Sequence, residues 1–139
     1  MADYTKKPEE IELIGEGGRI LGGILKRTAM LAKPGVSTAE LNDFAEREIR
    51  IAGGRPSFMG YGDKKNPFPA VLCTSINDAV VHGVPSSEDI LQEGDIVGLD
   101  IGMEYKGFYT DTAITVPVGK VSARAEEIMK VTKHALTEA

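Results

Sequence analysis

The 139-residue chain has a single cysteine, Cys73, so it has no partner for an intrachain disulfide. It lacks a dense Lys/Arg cluster with interleaved aromatics, and a net charge of −5 further disfavours an electrostatic nucleic-acid binder. No apolar run approaches the roughly 20 residues needed to cross a bilayer. The opening Met-Ala-Asp-Tyr-Thr-Lys-Lys-Pro-Glu-Glu has no apolar core of signal-peptide type. No internal repeat is visible. These absences lead to the expectation of a soluble, cytoplasmic protein with no nucleic-acid and no membrane partner. With 42% hydrophobic and 27% charged residues, the chain can bury one core, and a single domain over residues 1–139 is expected.

The local signals place helices first and strands after. Pro8 suits the first position of a helix, with Glu9 and Glu10 at the positive end of its dipole. Ile11, Ile14, Leu21 and Leu25 continue at helical spacing toward Leu31, where Lys33-Pro34-Gly35 ends the element. Glycines 15, 17, 18, 22 and 23 weaken this helix in isolation, each by about 1 kcal/mol relative to Ala, and close packing against a sheet would explain them. Ser37-Thr-Ala-Glu40 reads as a capping box opening a second helix with Leu41, Phe44, Ala45 and Ile49 on its apolar face, stopped by Gly53-Gly54. From Pro67 onward short β-like runs are expected at Ala70 to Ser75, Ala79 to Val84, Ile96 to Met103 and Phe108 to Val116. Ser122 to Glu138 forms a last helix with Ile128, Val131, Ala135 and Leu136 on one face. The order points to an α+β domain, an antiparallel sheet covered by helices.

Two aspartates carry the first functional signal. If the last two strands form a hairpin centred between Tyr105 and Lys106, Asp100 and Asp111 face each other directly. Opposed side chains on one face of an antiparallel pair lie roughly 4.5–5.5 Å apart at Cβ, and like charges there are destabilising. A hard divalent cation held by both carboxylates would relieve the repulsion. Gly107 offers an alternative, because a three-residue loop with a bulge would slip the register by one and send the carboxylates to opposite faces. Two solvated aspartates on a half-exposed hairpin are the bland alternative, although Gly98, Leu99, Ile101 and Gly102 surround Asp100 with small and apolar neighbours. His82, between a β-branched run and Gly83-Val-Pro85, could be a core residue or a catalytic one.

Three strings settle into one pattern. Leu72-Cys-Thr-Ser-Ile-Asn-Asp-Ala-Val-Val-His-Gly-Val-Pro85, Gly94-Asp-Ile-Val-Gly-Leu-Asp100 and Gly107-Phe-Tyr-Thr-Asp-Thr112 follow one another at a spacing that resembles type I methionine aminopeptidase. Lys33-Pro-Gly-Val-Ser-Thr38, Gly60-Tyr61 and Phe68-Pro69 extend the resemblance, which runs from about Pro8 to the end of the chain. Prolidases and proline-specific aminopeptidases share the aspartate pair but are less similar around Asn77 to Pro85.

The resemblance implies a metal-dependent peptidase that removes the initiator methionine from nascent polypeptides, built on the first half of a pita-bread fold. It implies two divalent metal ions per complete site, of the Co, Mn, Fe, Ni or Zn kind, with Asp100 a ligand to one and Asp111 bridging both. Such a pair activates water and polarises the scissile carbonyl. His82 would hydrogen bond to the scissile amide as a catalytic and substrate-binding residue, and Tyr61, Phe68 and Cys73 would line the pocket for the methionine thioether. The sequence departs from the family at Phe68, where a tyrosine is common, and in the loop Gly62-Asp-Lys-Lys-Asn-Pro67, which is longer than usual.

The remaining family ligands, one His and two Glu, would lie beyond Ala139, and His134 is outside any family-like motif. Three readings follow. The chain is part of a methionine aminopeptidase, or is completed by another polypeptide, and acts on peptides with an N-terminal methionine. Alternatively, the half-fold self-associates, so that a homodimer brings two copies of Asp100, Asp111 and His82 together as a metal site of different composition. In the third reading it is a metal-free remnant that binds peptides or partners.

Overall fold

A computed structural model of the chain describes residues 5–139. The opening residues 1–4, which carry part of the leader expectation, lie outside them. Helix α1 spans Pro8–Leu31, with Pro8 at its first turn and the Glu10 carboxylate accepting from Lys7 N–H at 2.8 Å. Helix α2 spans Thr38–Ile51, and its capping box is formed: Glu40 N–H donates to Ser37 Oγ at 3.2 Å while Ser37 N–H donates to the Glu40 carboxylate at 2.8 Å. The short strand β1 (Arg55–Pro56) follows, and then the small hairpin of β2 (Gly62–Asp63) and β3 (Asn66–Pro67). Strands β4 (Leu72–Ile76), β5 (Ile96–Tyr105) and β6 (Phe108–Pro117) build the main sheet, and α3 (Ala123–Glu138) follows it.

All pairings in the main sheet are antiparallel. One edge of β5 carries β4 against residues 97–101 and β1 against residues 103–104, and the other edge carries β6 along its full length. The outer edge of β6 has no partner strand among the described residues. Alternation along β5 divides the sheet into two faces. Leu99, Ile101 and Met103 are fully buried with Leu72 beneath Leu21 and Ile24 of α1 and Leu41 and Ile49 of α2. Gly98, Asp100, Gly102 and Glu104 point the other way, onto a face the helices leave open.

Three expectations are revised. Ala79 to Val84 is not a strand: Asn77 and His82 adopt φ of +54° and +58°, so the chain turns and loops back where β-branched residues had suggested extension. The hairpin is not centred between Tyr105 and Lys106. Its turn is Lys106-Gly107, with φ of +51° and +88° as a type I′ turn requires, whereas the expected register would have put bulky Tyr105 in the left-handed region. Of the α1 glycines only Gly17 approaches the sheet, where an added Cβ would lie 3.3 Å from Tyr105 Cβ and 3.5 Å from Thr110 Cγ2, while Gly15 and Gly23 meet only arginine side chains. Helix α3 forms as expected but buries no residue, and the stripe of Ile128, Val131 and Leu136 is exposed.

Candidate active site

The open face of the sheet carries the chemistry. Asp100 pairs in register with Cys73 on β4 and with Ala113 on β6, while Asp111 pairs with Gly102. The register therefore differs from the expected one by two residues, which preserves the face. Asp100 and Asp111 are diagonal neighbours rather than opposed ones, a geometry with Cα atoms roughly 7–8 Å apart that long or convergent side chains can bridge. Both carboxyls line one cavity, and Asp111 is near enough to act on the Asp100 carboxyl. Burial and the adjacent Asp111 push the Asp100 pKa up, with nearby His82 pulling in the opposite direction.

Cys73 is buried, and desolvation together with the charges of Asp100 and Asp111 pushes its thiol up to about 11. At neutral pH it is a small soft wall, not a nucleophile. His82 reaches the site through the loop that replaced the expected strand. Asn77 anchors that loop by donating from Nδ2 to Asp95 at 2.8 Å and accepting from Ile96 N–H at 3.1 Å. Gly83 lies flat on β4: Thr74 N–H donates to its carbonyl at 2.8 Å, and its N–H donates to Ser75 Oγ at 3.3 Å. A Cβ there would collide with the Thr74 carbonyl and lie 3.1 Å from Ser75 Cα, so only glycine permits this approach beside His82.

The roof comes from the segment after β1. Ser57 N–H donates to the Gly102 carbonyl at 3.2 Å, and a Cβ on Gly102 would lie 2.5 Å from Phe58 Cε1. Sheet, loop and roof enclose a cavity of about 540 Å³ that is lined by all six residues named from the sequence, Tyr61, Phe68, Cys73, His82, Asp100 and Asp111. Ser57, Phe58, Tyr109 and Thr110 also line it. Tyr109 could have been found from period two, since it precedes Asp111 by two residues on the same face. The glycine at position 102 was the only hint of Phe58, as a strand glycine often marks close approach.

The donor set suits a cation in part. Asp100 Oδ1 is buried without a hydrogen-bond partner among the described residues, and the second carboxylate beside it makes the pair repulsive until a positive charge arrives. Among the described residues, however, no group of three or more His, Cys, Asp or Glu side chains is placed to hold a metal ion. His134 is exposed on α3. The described residues thus bring together a pair of carboxylates rather than a full coordination sphere.

Residues 12–139 match the profile of metallopeptidase family M24, and the chain belongs to that family. Within it, the similarity is to methionine aminopeptidases. The chain is 44% identical over 144 residues to the methionine aminopeptidase of Aquifex aeolicus, covering 100% of this chain and 55% of that protein. It is 43% identical over 129 residues to that of Clostridium acetobutylicum, covering 93% of this chain and 50% of the relative. The crystal structure of methionine aminopeptidase from Thermotoga maritima superposes with a TM-score of 0.90 at 32% identity, covering 96% of this chain and 52% of that one. The expected α+β architecture, the first half of a pita-bread fold, is the one found. The chain spans about half the length of the curated relatives it matches.

Proposed function

We propose that this chain supplies the aspartate ligands and the methionine pocket of a metal-dependent aminopeptidase that removes the initiator methionine from nascent polypeptides in the cytoplasm. The observation that carries this reading is the convergence of Asp100, Asp111, His82, Cys73, Tyr61 and Phe68 on one cavity from five elements: the β2–β3 hairpin, β4, the loop after it, β5 and β6. Asp100 and Asp111 would hold two divalent ions of the Co, Mn, Fe, Ni or Zn kind, ions that polarise a carbonyl and make water a nucleophile at neutral pH. Geometry and availability, rather than raw affinity, would select among them.

The chain's own residues have simpler tasks. The uncharged thiol of Cys73 and the rings of Tyr61 and Phe68 would receive an unbranched thioether side chain, which packs well against sulfur and aromatic edges. His82, exposed at the cavity and held by the Gly83 contact to β4, would hydrogen bond to the scissile amide. Phe58, seated over Gly102, would keep water from the floor. Further ligands and a lid over the open face would come from another stretch of polypeptide. Hydrolysis of Met-Ala-Ser with added Mn²⁺ or Co²⁺, together with calorimetric titration of Mn²⁺, tests the proposal. Metal uptake and turnover that both disappear in Asp111→Asn support it, and turnover indifferent to chelation refutes it.

A second reading, self-association of the half-fold, has its own support. The outer edge of β6 is unpaired among the described residues, and Ile128, Val131 and Leu136 of α3 are 58%, 59% and 80% exposed. A long free edge beside an apolar stripe is a template for pairing with another chain. Sedimentation with and without Mn²⁺ separates the two, since a monomer at high concentration excludes a site shared between copies.

A further inference from the structure

The hairpin of β2 and β3 grows from the mouth of the cavity. Tyr61 and Phe68, which line the cavity, immediately flank its two strands, and they continue its ladder: Phe68 N–H donates to the Tyr61 carbonyl at 2.8 Å and Gly60 N–H to the Phe68 carbonyl at 2.9 Å. The turn of the hairpin is Lys64-Lys65, stiffened by Lys65 N–H donating to Asp63 Oδ1 at 3.0 Å. Both lysines are exposed, and neither takes part in an ion pair among the described residues. In a chain of net charge −5 this is an adjacent pair of cations, with Asp63 beside them in the turn, placed near a cavity whose floor is two carboxylates.

From these placements we infer that Lys64 and Lys65 form an outer subsite for acidic side chains of the bound peptide, downstream of its first residue. The inference rests on the peptide-binding function proposed above. Lys64 lies three residue steps from Tyr61, at most about 10 Å of extended backbone at roughly 3.3 Å per residue. A substrate strand advances at a similar rise, so a peptide with its first side chain in the cavity brings roughly its third to fifth residues alongside the turn. Charges are screened from one another beyond roughly 8 Å at physiological salt, so the exposed lysines act on acidic side chains of a peptide where it passes the turn. The opposite signs at the two ends of the groove also favour one direction of entry, with the positively charged α-amine toward the floor and acidic side chains toward the hairpin. Each exposed pair is weak, and two together give a preference on the order of fivefold.

Fluorescence anisotropy of the full chain with three C-terminally labelled peptides tests this: Met-Ala-Asp-Asp-Asp, Met-Ala-Ser-Ser-Ser and Met-Ala-Lys-Lys-Lys. The expected result is about fivefold tighter binding of the acidic peptide than of the neutral one, a ratio that falls toward one in Lys64→Gln/Lys65→Gln, inverts in Lys64→Glu/Lys65→Glu and shrinks with added salt. Equal binding of all three peptides, or a preference that survives either double substitution, overturns the inference while leaving the proposed function standing. Binding of a short RNA by the same two lysines with no preference among peptides also overturns it. Failure of every peptide to bind removes this subsite and the proposed function together.

Discussion

Neutralising Asp111 is expected to reverse the order of stability depending on whether a metal is supplied. Asp100 and Asp111 are same-face diagonal neighbours whose carboxyls converge, and the repulsion shows in the upward push on the Asp100 pKa, where burial is the larger cause and Asp111 the next. Asp111 is exposed and Asp100 only half-buried, so solvent screens much of the repulsion. Asp111→Asn should then stabilise the metal-free chain by about 0.5 kcal/mol, and by no more than about 1 kcal/mol. With a urea slope of about 2 kcal/mol/M, the unfolding midpoint would rise by roughly 0.3 M in EDTA. Lowering the pH should move the Asp100 contribution in the same direction in the wild type, against the loss from Glu16, Glu40 and Glu104, whose carboxyls are held below their usual range. The folded-state pKa of Asp100 is raised, so the folded chain takes up that proton more readily than the unfolded chain and gains relative stability as the pH falls toward the acidic range. Supplied Mn²⁺ acts in the opposite sense. At about a hundred times its dissociation constant, a ligand that binds only the folded state contributes about 2.7 kcal/mol, which the wild type gains and a variant with one carboxylate largely forgoes. The assay is urea unfolding of both proteins in EDTA and in saturating Mn²⁺. The same order of midpoints in both conditions refutes the account of the pair as a repulsive cation site.

Three further outcomes follow from particular contacts. Gly83→Ala has no space against the Thr74 carbonyl and should lower stability by about 1–3 kcal/mol; an unchanged urea midpoint would contradict the close approach that carries His82. Ser37→Ala removes the acceptor for Glu40 N–H and should cost about 1 kcal/mol, read as a lower melting temperature. The Glu104 carboxylate is held below its usual range by Arg55 first and the Gly107 N–H second, so the stability it contributes is present above the unfolded carboxylate pKa and is lost as the pH falls through the folded one. Between about pH 6 and pH 3 the wild type should therefore lose more stability than Glu104→Gln, and parallel curves for the two proteins would count against the pairing.

The parts of the molecule legible from the sequence are those fixed by local chemistry. Pro8, the Ser37 to Glu40 box and Lys33-Pro34-Gly35 determine where α1 and α2 begin and end through contacts within a few residues, and both helices have the expected bounds. The hairpin register depended on which two residues accept positive φ. Gly107 identifies one of them, but the choice between Lys106-Gly107 and a longer bulged loop is made by pairing along all ten residues of β5 and β6, which no short window contains. Ala79 to Val84 misled because β-branched side chains signal extension on average, whereas here Asn77, held by Asp95 and Ile96 across the sheet end, sets a turn that the following residues obey. The roof was hidden for a related reason. Ser57 and Phe58 reach Gly102 from more than forty positions away, and the glycine that admits them carries no side chain to advertise the contact.

Folding and chemistry are divided between the two faces of a single strand. On β5, Val97, Leu99, Ile101 and Met103 are fully buried toward the helices, and they need only be apolar and of the right volume. The alternate residues Gly98, Asp100, Gly102 and Glu104 meet no core at all. They are chosen by what stands above them: Asp100 by its neighbour across the sheet, Gly102 by Ser57 and Phe58, Glu104 by Arg55. A strand in this position can hold a repulsive carboxylate because the burial on its other side supports the backbone independently of the charge. The same division lets a chain about half the length of its relatives form the cavity floor. Cys73, the His82 loop, Asp100 and Asp111 all hang from β4, β5 and β6, whose support is the α1 and α2 layer within this chain.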